Sequence, residues 1–318
     1  MMLPLNLSTS SSKMRVVRQF LLFGIILLGL NSILFLVYYD LYYKSYLDKA
    51  PTGIGFTTLV LSDSHGLALG QLLEDEGIWN FSAESDNYQD MRRKLVYVHE
   101  QNPDLKTVLL TVDDHALSVY REQMNNEDRS VVFSSFSDEW TRNSSFARTF
   151  SGYGISWLRY YLLILNPKSS GLIKRFASGK AQIFLKLRKE NTSPEMPWCM
   201  NKDSTLLARS RSESQFPDHV TSIKMQEEVK WIIAYCRQNN LQLMGIKFPV
   251  TPMYDRFTAG KSYKADSCFV AENIPVLDYR QKFHNENHCL FKDQDHLNAE
   301  GGFWFARELK HDLLEIRK

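Results

Sequence analysis

A long uncharged run stands out near the start of the chain. Residues 19–39, QFLLFGIILLGLNSILFLVYY, contain no charged side chain, and about twenty apolar residues are enough to cross a bilayer. Three basic residues lie within the six positions before the run, and Asp40 follows it. Because basic flanks stay in the cytoplasm, the pattern predicts a cytoplasmic tail over 1–18, a single membrane span and an exported remainder.

A cleaved signal peptide is the alternative interpretation of this run. The apolar core of a signal peptide is usually shorter and ends at a small-residue cleavage site. Here the run ends in LVYYDLYY, without an Ala-x-Ala pattern, and tyrosines are typical of the aromatic belt at a membrane surface. The sequence therefore favours an uncleaved anchor, followed by a juxtamembrane linker over residues 40–55.

Beyond the linker, short apolar runs alternate with segments of helical periodicity. Such runs are typical of strands buried on both faces of a parallel sheet. The predicted strands are 57–61, 77–82, 106–112, 241–250 and 274–279, and the predicted helices are 66–75, 87–101, 222–240 and 298–316. This alternation predicts an α/β domain over 56–318, with a parallel sheet covered on both faces.

The alternation breaks in the middle of the domain. Residues 115–220 are Ser-rich, aromatic and basic in turn, without a regular strand–helix repeat. SWLRYYLLILN, residues 156–166, is apolar on most sides and predicts either a core helix or a membrane-facing helix. We interpret the whole stretch as a partly helical insertion.

Composition excludes two classes of protein. The net charge is +2 and no long basic run is present, so nothing predicts a nucleic-acid surface. Four cysteines without a Cys-x-x-Cys spacing make a zinc ribbon unlikely to form. In an exported domain a Cys268–Cys289 disulfide is one possibility, and free thiols are the other.

Four polar loops follow the predicted strands. They are Ser62–His65, Ser82–Ser85, Asp113–His115 and Pro249–Pro252. Because ligands of such sheets bind outside the carboxyl ends of the strands, we expect these loops to meet at one site. Ser64 begins a segment of helical pattern, whose amides and dipole would stabilise an oxygen anion. A plain helix cap is the alternative role for Ser64 and its two preceding neighbours.

A histidine with an acid beside it precedes the last predicted helix. In FKDQDHLNAEGG, Asp293 stands three residues before His296. In a tight turn this spacing lets the carboxylate accept the imidazole Nδ1–H and leaves Nε2 for a serine. Ser64, His296 and Asp293 therefore form a candidate catalytic triad. A helix cap at Asp295 or Asn298, beside an incidental histidine, is the alternative.

These two stretches resemble motifs of the SGNH/GDSL hydrolase family. LSDSHG resembles the family's first block, Gly-Asp-Ser, with Ser62 in place of glycine, and DQDHLNAEG resembles its last block, Asp-x-x-His. The His-Leu-Asn-x-x-Gly continuation is similar to the membrane-anchored envelope branch, which includes alginate O-acetylation and D-alanyl-lipoteichoic acid transfer proteins. Over about residues 56–316, apart from the insertion, the resemblance implies a three-layer α/β/α, flavodoxin-like fold. It implies Ser64 as nucleophile, His296 as general base and Asp293 as its orienting acid.

The family's middle blocks match less closely. Its Asn-x-Gly-x-x-Gly block contributes a backbone amide to the oxyanion hole, and NFSAES has Ser82 and Ser85 at the glycine positions. Its Gly-x-Asn-Asp block contributes an asparagine side chain, where TVDDHA has Asp113. An ionised aspartate cannot donate, and one lost donor costs about 3 kcal/mol of transition-state stabilisation. The candidates for the hole are therefore Ser64, Ser82 and Ser85, with a protonated Asp113 or His115 as a further donor.

The resemblance also implies an activity. It implies acyl transfer through an acyl-serine on acetyl or other acyl esters of an envelope polysaccharide, without a cofactor or metal. A membrane acyl-donor protein is a further possible partner, and the bilayer is contacted by the N-terminal helix. The domain would lie on the periplasmic or extracytoplasmic side of the cytoplasmic membrane. His65 is a candidate for substrate binding or a surface histidine.

Three alternatives to an SGNH-type enzyme stay open. SDSHG is close to the Gly-x-Ser-x-Gly elbow of α/β-hydrolases. His284 and His288, together with the two triad residues near them, Asp293 and His296, could instead bind a metal. The third alternative, supported by Asp113, is an inactive SGNH-like assembly or binding protein.

Aromatic side chains of the insertion have several possible roles. The set comprises Trp140, Tyr153, Trp157, Tyr160 and Tyr161. They could form a glycan platform or a lid, or they could be core packing or a partner surface.

Overall fold

A five-stranded parallel sheet forms the centre of the domain. The computed structural model describes residues 8–51, 53, 55–169, 198–200, 202–217, 220–284 and 288–316. The strands are β1 Thr58–Leu61, β2 Ile78–Asn80, β3 Thr107–Thr111, β4 Gln242–Lys247 and β5 Val276–Asp278. They lie in the order β2-β1-β3-β4-β5, and each neighbouring pair is parallel. The predicted α/β fold with a parallel sheet is confirmed.

The strand order creates a crevice at the carboxyl end of the sheet. The chain passes from β1 outward to β2 and returns to β3 on the other side of β1. Connections that leave two adjacent strands in opposite directions open a ligand-binding crevice in doubly wound sheets. All residues of β1 and β3 are buried, as their continuous apolar sequences predict.

Helices precede, separate and follow the strands. The α-helices are α1 Ser8–Tyr38, α2 Lys44–Leu47, α3 Tyr88–Gln101, α4 Tyr120–Gln123, α5 Glu127–Ser130, α6 Phe136–Asn143, α7 Phe146–Thr149, α8 Ile155–Tyr161, α9 Ser204–Gln215, α10 Ile223–Gln238, α11 Pro252–Thr258, α12 Ala265–Val270 and α13 Ala299–Ile316. Short 3-10 helices occur at Ser64–Leu69, Glu74–Glu76, Val131–Phe133, Leu163–Leu165, Trp198–Met200 and His288–Leu290. Two π-helical turns occur at Tyr39–Tyr43 and Phe150–Gly154.

The segment predicted as a helix over 66–75 is not α-helical. It forms two 3-10 helices separated by a turn at Gly70, whose φ of +47° suits glycine. The first 3-10 helix packs against α13 so closely that a Cβ on Gly302 would lie 2.0 Å from the Ala68 carbonyl oxygen. Packing on α13 thus overrides the helical spacing of the leucines.

α1 is long and apolar enough to cross a membrane. The candidate span is Met14–Leu36, and almost none of it is buried inside the protein. It overlaps the predicted run 19–39 and begins earlier. The structure therefore contains one N-terminal helix that could contact a lipid bilayer.

The stretch predicted as a linker is partly helical and is packed on the domain. After α1 the chain continues through the π-helical turn Tyr39–Tyr43 into α2. Tyr43 and Tyr46 are buried, and the Tyr46 hydroxyl donates to Asp86 at 3.0 Å. The stretch that follows α1 is therefore part of the folded domain.

The insertion is partly helical where the structure describes it, and a disulfide joins it to the rest of the domain. Cys199 bonds Cys289, with a Cα–Cα distance of 5.0 Å, while Cys268 is free. The suggested Cys268–Cys289 pairing is thus wrong. Sequence spacing cannot identify partners that are 90 positions apart.

Candidate active site

Ser64, His296 and Asp293 meet in hydrogen-bonding geometry. Ser64 Oγ lies 2.7 Å from His296 Nε2. The other ring nitrogen, Nδ1, lies 2.8 and 2.9 Å from the two carboxylate oxygens of Asp293. This is the order nucleophile, base and orienting acid that a serine hydrolase requires.

The loop after β1 leaves the Ser64 hydroxyl free for this contact. Asp63 is the residue that caps the 3-10 helix, since its carboxylate accepts from the His65 amide at 3.0 Å. Ser64 is the first residue of that helix. Of the three residues that could cap this helix, Asp63 is therefore the one that does, and Ser64 is left for His296.

The turn before α13 fixes the acid and the base together. Asp293 Oδ1 accepts from the amides of Asp295 and His296 at 3.1 and 3.0 Å. Asn298, and not Asp295, accepts from an amide of the first turn of α13, that of Gly301 at 2.9 Å. One aspartate thus shapes the turn and holds the imidazole.

Asp295 is a second carboxylate on the same imidazole, and the sequence analysis did not assign it to the site. Its Oδ1 lies 3.3 Å from His296 Nδ1, and its side chain is fully buried. Its Oδ2 accepts from Arg211 Nε at 2.9 Å and from Gln215 Nε2 at 3.0 Å. Both donors lie on α9 of the insertion, so the insertion fixes the position of the Asp295 carboxylate beside His296.

These carboxylates decide the protonation of His296. Burial alone would lower its pKa, but the charge of Asp295 and the hydrogen bonds of Asp293 and Asp295 raise the pKa to about 9. Burial would raise the pKa of Asp295, yet His296, His65 and Arg211 hold it well below its usual range. At neutral pH the resting pair is therefore imidazolium and carboxylate.

His65 is not placed to bind substrate. It is buried, and its Nδ1 lies 2.7 Å from Asp113 Oδ2, while its Nε2 lies 3.4 Å from Asp295 Oδ2. Burial disfavours its charge, but Asp63 and Asp113 raise its pKa well above the usual value. His65 is thus a buried imidazole among carboxylates: the surface position is wrong, and the side chain does not line the cavity at Ser64.

Asp113 and His115 do not face the nucleophile. Asp113 accepts from the Phe248 amide and from Thr111 Oγ1, each at 2.9 Å. His115 Nε2 lies 3.3 Å from Asp63 Oδ2, and burial lowers the His115 pKa. Neither residue lines the cavity at Ser64, so the expectation that one of them donates to an oxyanion is not supported. The orientation of the Asp113 side chain depends on its contact with Phe248 after β4, and that of His115 depends on its contact with Asp63 after β1. The spacing of residues along the sequence does not reveal these contacts.

Two backbone amides remain as oxyanion donors. Within the described part of the chain, the amides of Ser64 and Ser85 donate to no internal acceptor. Ser85 has a φ of +68°, the left-handed region that glycine favours, and it lines the cavity. Ser82 is different, because its amide and hydroxyl both bond Asn80 Oδ1, at 3.2 and 2.6 Å. Ser64 and Ser85 are therefore kept as candidates, and Ser82 is not free to donate.

A cavity of about 800 Å³ opens at Ser64. Polar and apolar walls both contribute to it, and its cationic residues are Arg121, Arg211 and Lys292. A space of this size admits a ligand the size of one or two sugar rings.

Among the described side chains, His284 does not join Asp293 and His296 in a group with metal-ligand spacing. The groups with metal-ligand spacing in the described residues are His65 with Asp295 and His296, and His65 with Asp63 and Asp113. In both, His65 nitrogens already face carboxylates at hydrogen-bonding distance. The side chain of His288 lies outside the described residues.

Comparisons with models of known protein families and with curated proteins found no match for this chain.

Proposed function

We propose that the protein is a membrane-anchored serine esterase or O-acyltransferase of the SGNH type, acting on acyl esters of an envelope glycan. The observation that carries the proposal is the contact between Ser64 Oγ and His296 Nε2 at 2.7 Å, with Asp293 on the opposite ring nitrogen. The five-stranded order β2-β1-β3-β4-β5 is compatible with a three-layer, flavodoxin-like arrangement.

In the first half-reaction Ser64 Oγ attacks the ester carbonyl. The neutral form of His296 takes the hydroxyl proton at Nε2, and the carbonyl oxygen becomes an oxyanion between the amides of Ser64 and Ser85. Collapse of this tetrahedral species breaks the bond to the leaving alcohol. His296 returns the proton to that alcohol, and the acyl group remains on Ser64.

In the second half-reaction a hydroxyl compound attacks the acyl-serine. His296 removes its proton, and Ser64 leaves with that proton. Water as attacking group makes the protein an esterase, whereas a sugar hydroxyl makes it an acyltransferase. The cavity has the size that a sugar acceptor needs.

The disulfide and the anchor support an extracytoplasmic location for this chemistry. A Cys199–Cys289 disulfide is stable in an oxidising compartment, such as the periplasm or the outside of a cell. The basic residues before the span favour a cytoplasmic N-terminus. Both support a location in which envelope polysaccharides, and a membrane acyl-donor protein, would be accessible to the cavity.

A serine-specific assay tests the proposal on the full chain in detergent. We expect the wild type to hydrolyse p-nitrophenyl acetate and to be labelled by a fluorophosphonate at Ser64. Ser64→Ala removes the nucleophile and should lower the rate by about 10³-fold or more. Ser62→Ala is the matched control, because the Ser62 hydroxyl is buried and bonds nothing in the described structure.

Two outcomes contradict the proposal. If Ser64→Ala hydrolyses the ester as fast as the wild type, Ser64 is not the nucleophile. If the folded wild type neither hydrolyses the ester nor is labelled, the protein is an inactive assembly or binding protein and not an enzyme.

A further inference from the structure

We infer that an aromatic surface of the insertion lies in the headgroup region of the same bilayer that α1 crosses. This surface, called the aromatic collar below, is formed by exposed apolar side chains of α6 to α8 and the following 3-10 helix. Its members are Phe136, Trp140, Phe146, Phe150, Leu158, Tyr161, Ile164 and Leu165. The inference does not depend on the proposed chemistry.

The collar is anchored to the membrane-spanning helix at a fixed depth. Asn31 lies inside the candidate span, and its Nδ2 donates to the Tyr161 carbonyl at 2.8 Å. The Phe35 ring lies 6.2 Å from the Tyr161 ring. Asn31 is five residues before the end of the span at Leu36, which is about 7 Å along a helix. Tyr161 is therefore held beside the last turns of the apolar span and not above them.

A continuous line of ring contacts links Tyr161 to the rest of the collar. The rings follow one another in the order Phe35, Tyr161, Trp157, Tyr153, Phe136, Trp140, Phe146 and Phe150, and each centroid is within 6.3 Å of the next. Tyr153 is buried and Trp157 is partly buried. They pack the inner side of the line, while the collar residues face outward.

The chemistry of the collar suits a lipid headgroup region. Tryptophan and tyrosine concentrate at membrane interfaces, where an apolar ring and a polar tip are both satisfied. Isolated exposed apolar residues are ordinary, but a contiguous group that continues from a membrane span is not. Arg148 and Arg159, on α7 and α8, are exposed and partly exposed. Long cationic side chains at such a site can reach anionic headgroups.

Contact with lipid also suits the helical segment formed by α7, the π-helical turn and α8. α7 has four residues and is followed directly by a π-helical turn and α8. The segment is thus a continuous helical stretch that exposes apolar and cationic side chains together, as interfacial helices do. In this arrangement the inner aromatic side chains of the insertion pack on α1 and the turn after it, and the collar residues contact lipid.

Quenching by brominated lipids tests this inference on the full chain in nanodiscs. The bilayer is a phosphatidylethanolamine–phosphatidylglycerol mixture, with or without brominated acyl chains. Trp140 and Trp304 are each 42% exposed, and Trp304 lies on α13, outside the collar. We expect Trp140→Phe to remove at least twice as much lipid-quenchable fluorescence as Trp304→Phe.

A second variant and a second quencher keep the test decisive. Phe146→Asp with Phe150→Asp places charge in the collar, and it should at least halve the quenching of Trp140 while leaving Trp304 unchanged. Acrylamide in the water phase should quench Trp304 more than Trp140. Equal lipid quenching of both tryptophans, or stronger acrylamide quenching of Trp140, would overturn the inference and leave the collar as a surface for a protein partner.

Discussion

At the scale of single residues, the site has one imidazole between two carboxylates. Both carboxylate oxygens of Asp293 lie within hydrogen-bonding distance of His296 Nδ1, and Oδ1 also accepts from the His296 amide in the turn. Asp295 approaches the same nitrogen at 3.3 Å and is held by Arg211 and Gln215. The first acid orients the base, and the second mainly raises its pKa.

We predict that Asp295→Asn moves the pH dependence of catalysis. The basic form of His296 is required for attack by Ser64, so kcat/KM of the wild type should rise with pH through about 9, the pKa of His296. Removing the negative charge of Asp295 favours the neutral imidazole and lowers that pKa. The acid limb of the kcat/KM profile should therefore move down by about one pH unit or more.

The pH at which the acid limb of the kcat/KM profile lies does not depend on how much of the Asp295→Asn variant is folded. Asp104→Asn, an exposed carboxylate away from the cavity, is the matched control and should leave the profile unchanged. An Asp295→Asn profile that superimposes on the wild type would show that Asp295 does not control His296.

At the scale of elements, two glycines of α13 let this helix pack closely on its neighbours. α13 begins directly after the His296 turn, and it packs on the 3-10 helix that begins at Ser64. Gly302 allows this approach, because an added Cβ would lie 2.0 Å from the Ala68 carbonyl oxygen. Gly301 packs as closely on a different 3-10 helix, since its added Cβ would lie 2.1 Å from the Leu290 carbonyl oxygen. The distance from Ser64 to His296 is thus set by helix packing.

We predict that Gly302→Ala weakens both stability and activity. The new methyl group meets backbone and not a flexible side chain, so α13 has to move away from the Ser64 loop. We expect a loss of about 1–3 kcal/mol in stability and a fall of at least tenfold in kcat/KM for the fraction that remains folded.

Gly152→Ala is the control for this change. A Cβ on Gly152 meets nothing within 4 Å, so thermal unfolding and turnover should both stay at the wild-type level. Normal turnover by Gly302→Ala would mean that the packing of α13 does not set the position of His296.

The disulfide gives a second prediction at this scale. Cys289 lies four residues before Asp293, and its bond to Cys199 joins the insertion to that loop. Cys199→Ser, Cys289→Ser and the double variant should each lower stability by about 2–4 kcal/mol, measured by thermal unfolding. The three losses should be equal, because each variant breaks the same bond. Cys268→Ser, which changes a free cysteine, should have a small effect, and additive losses of the two single variants would contradict the pairing.

At the scale of the whole molecule, the anchor and the domain form one unit. The helix that contains the span continues to Leu47, and Tyr43 packs against Tyr160 of the insertion at a ring distance of 4.5 Å. α5 contacts this stretch, since Arg129 donates to the Tyr42 carbonyl at 3.4 Å. The residue before α5, Asn126, borders the site, because its Nδ2 donates to the carbonyl of Glu84, a cavity residue, at 2.7 Å. The cavity is therefore held at a defined distance from the bilayer that α1 could cross.

We predict that the domain is exported. Alkaline phosphatase fused after residue 318 should be active, because that enzyme requires an oxidising compartment. The same enzyme fused to the N-terminus of the full chain should be inactive, since the basic residues before the span keep that end in the cytoplasm. An inactive but stably expressed fusion after residue 318 would contradict the orientation.

The sequence by itself determined the features that depend on neighbouring residues. Continuous apolar runs identified β1 and β3, because burial on both faces excludes polar residues from such strands. A longer run identified the candidate span, because a bilayer core excludes charge. The three-residue spacing of Asp293 and His296 predicted their contact, because one turn contains both residues.

Only the tertiary structure decided which side chains face the cavity. Asp113 follows β3 as the pattern predicts, yet contacts with Phe248 and His65 turn it into the interior. Asp295 gains its role from α9, which is about 80 residues away in sequence. Contacts between distant segments depend on how helices pack on the sheet, and the sequence around one residue does not contain that information.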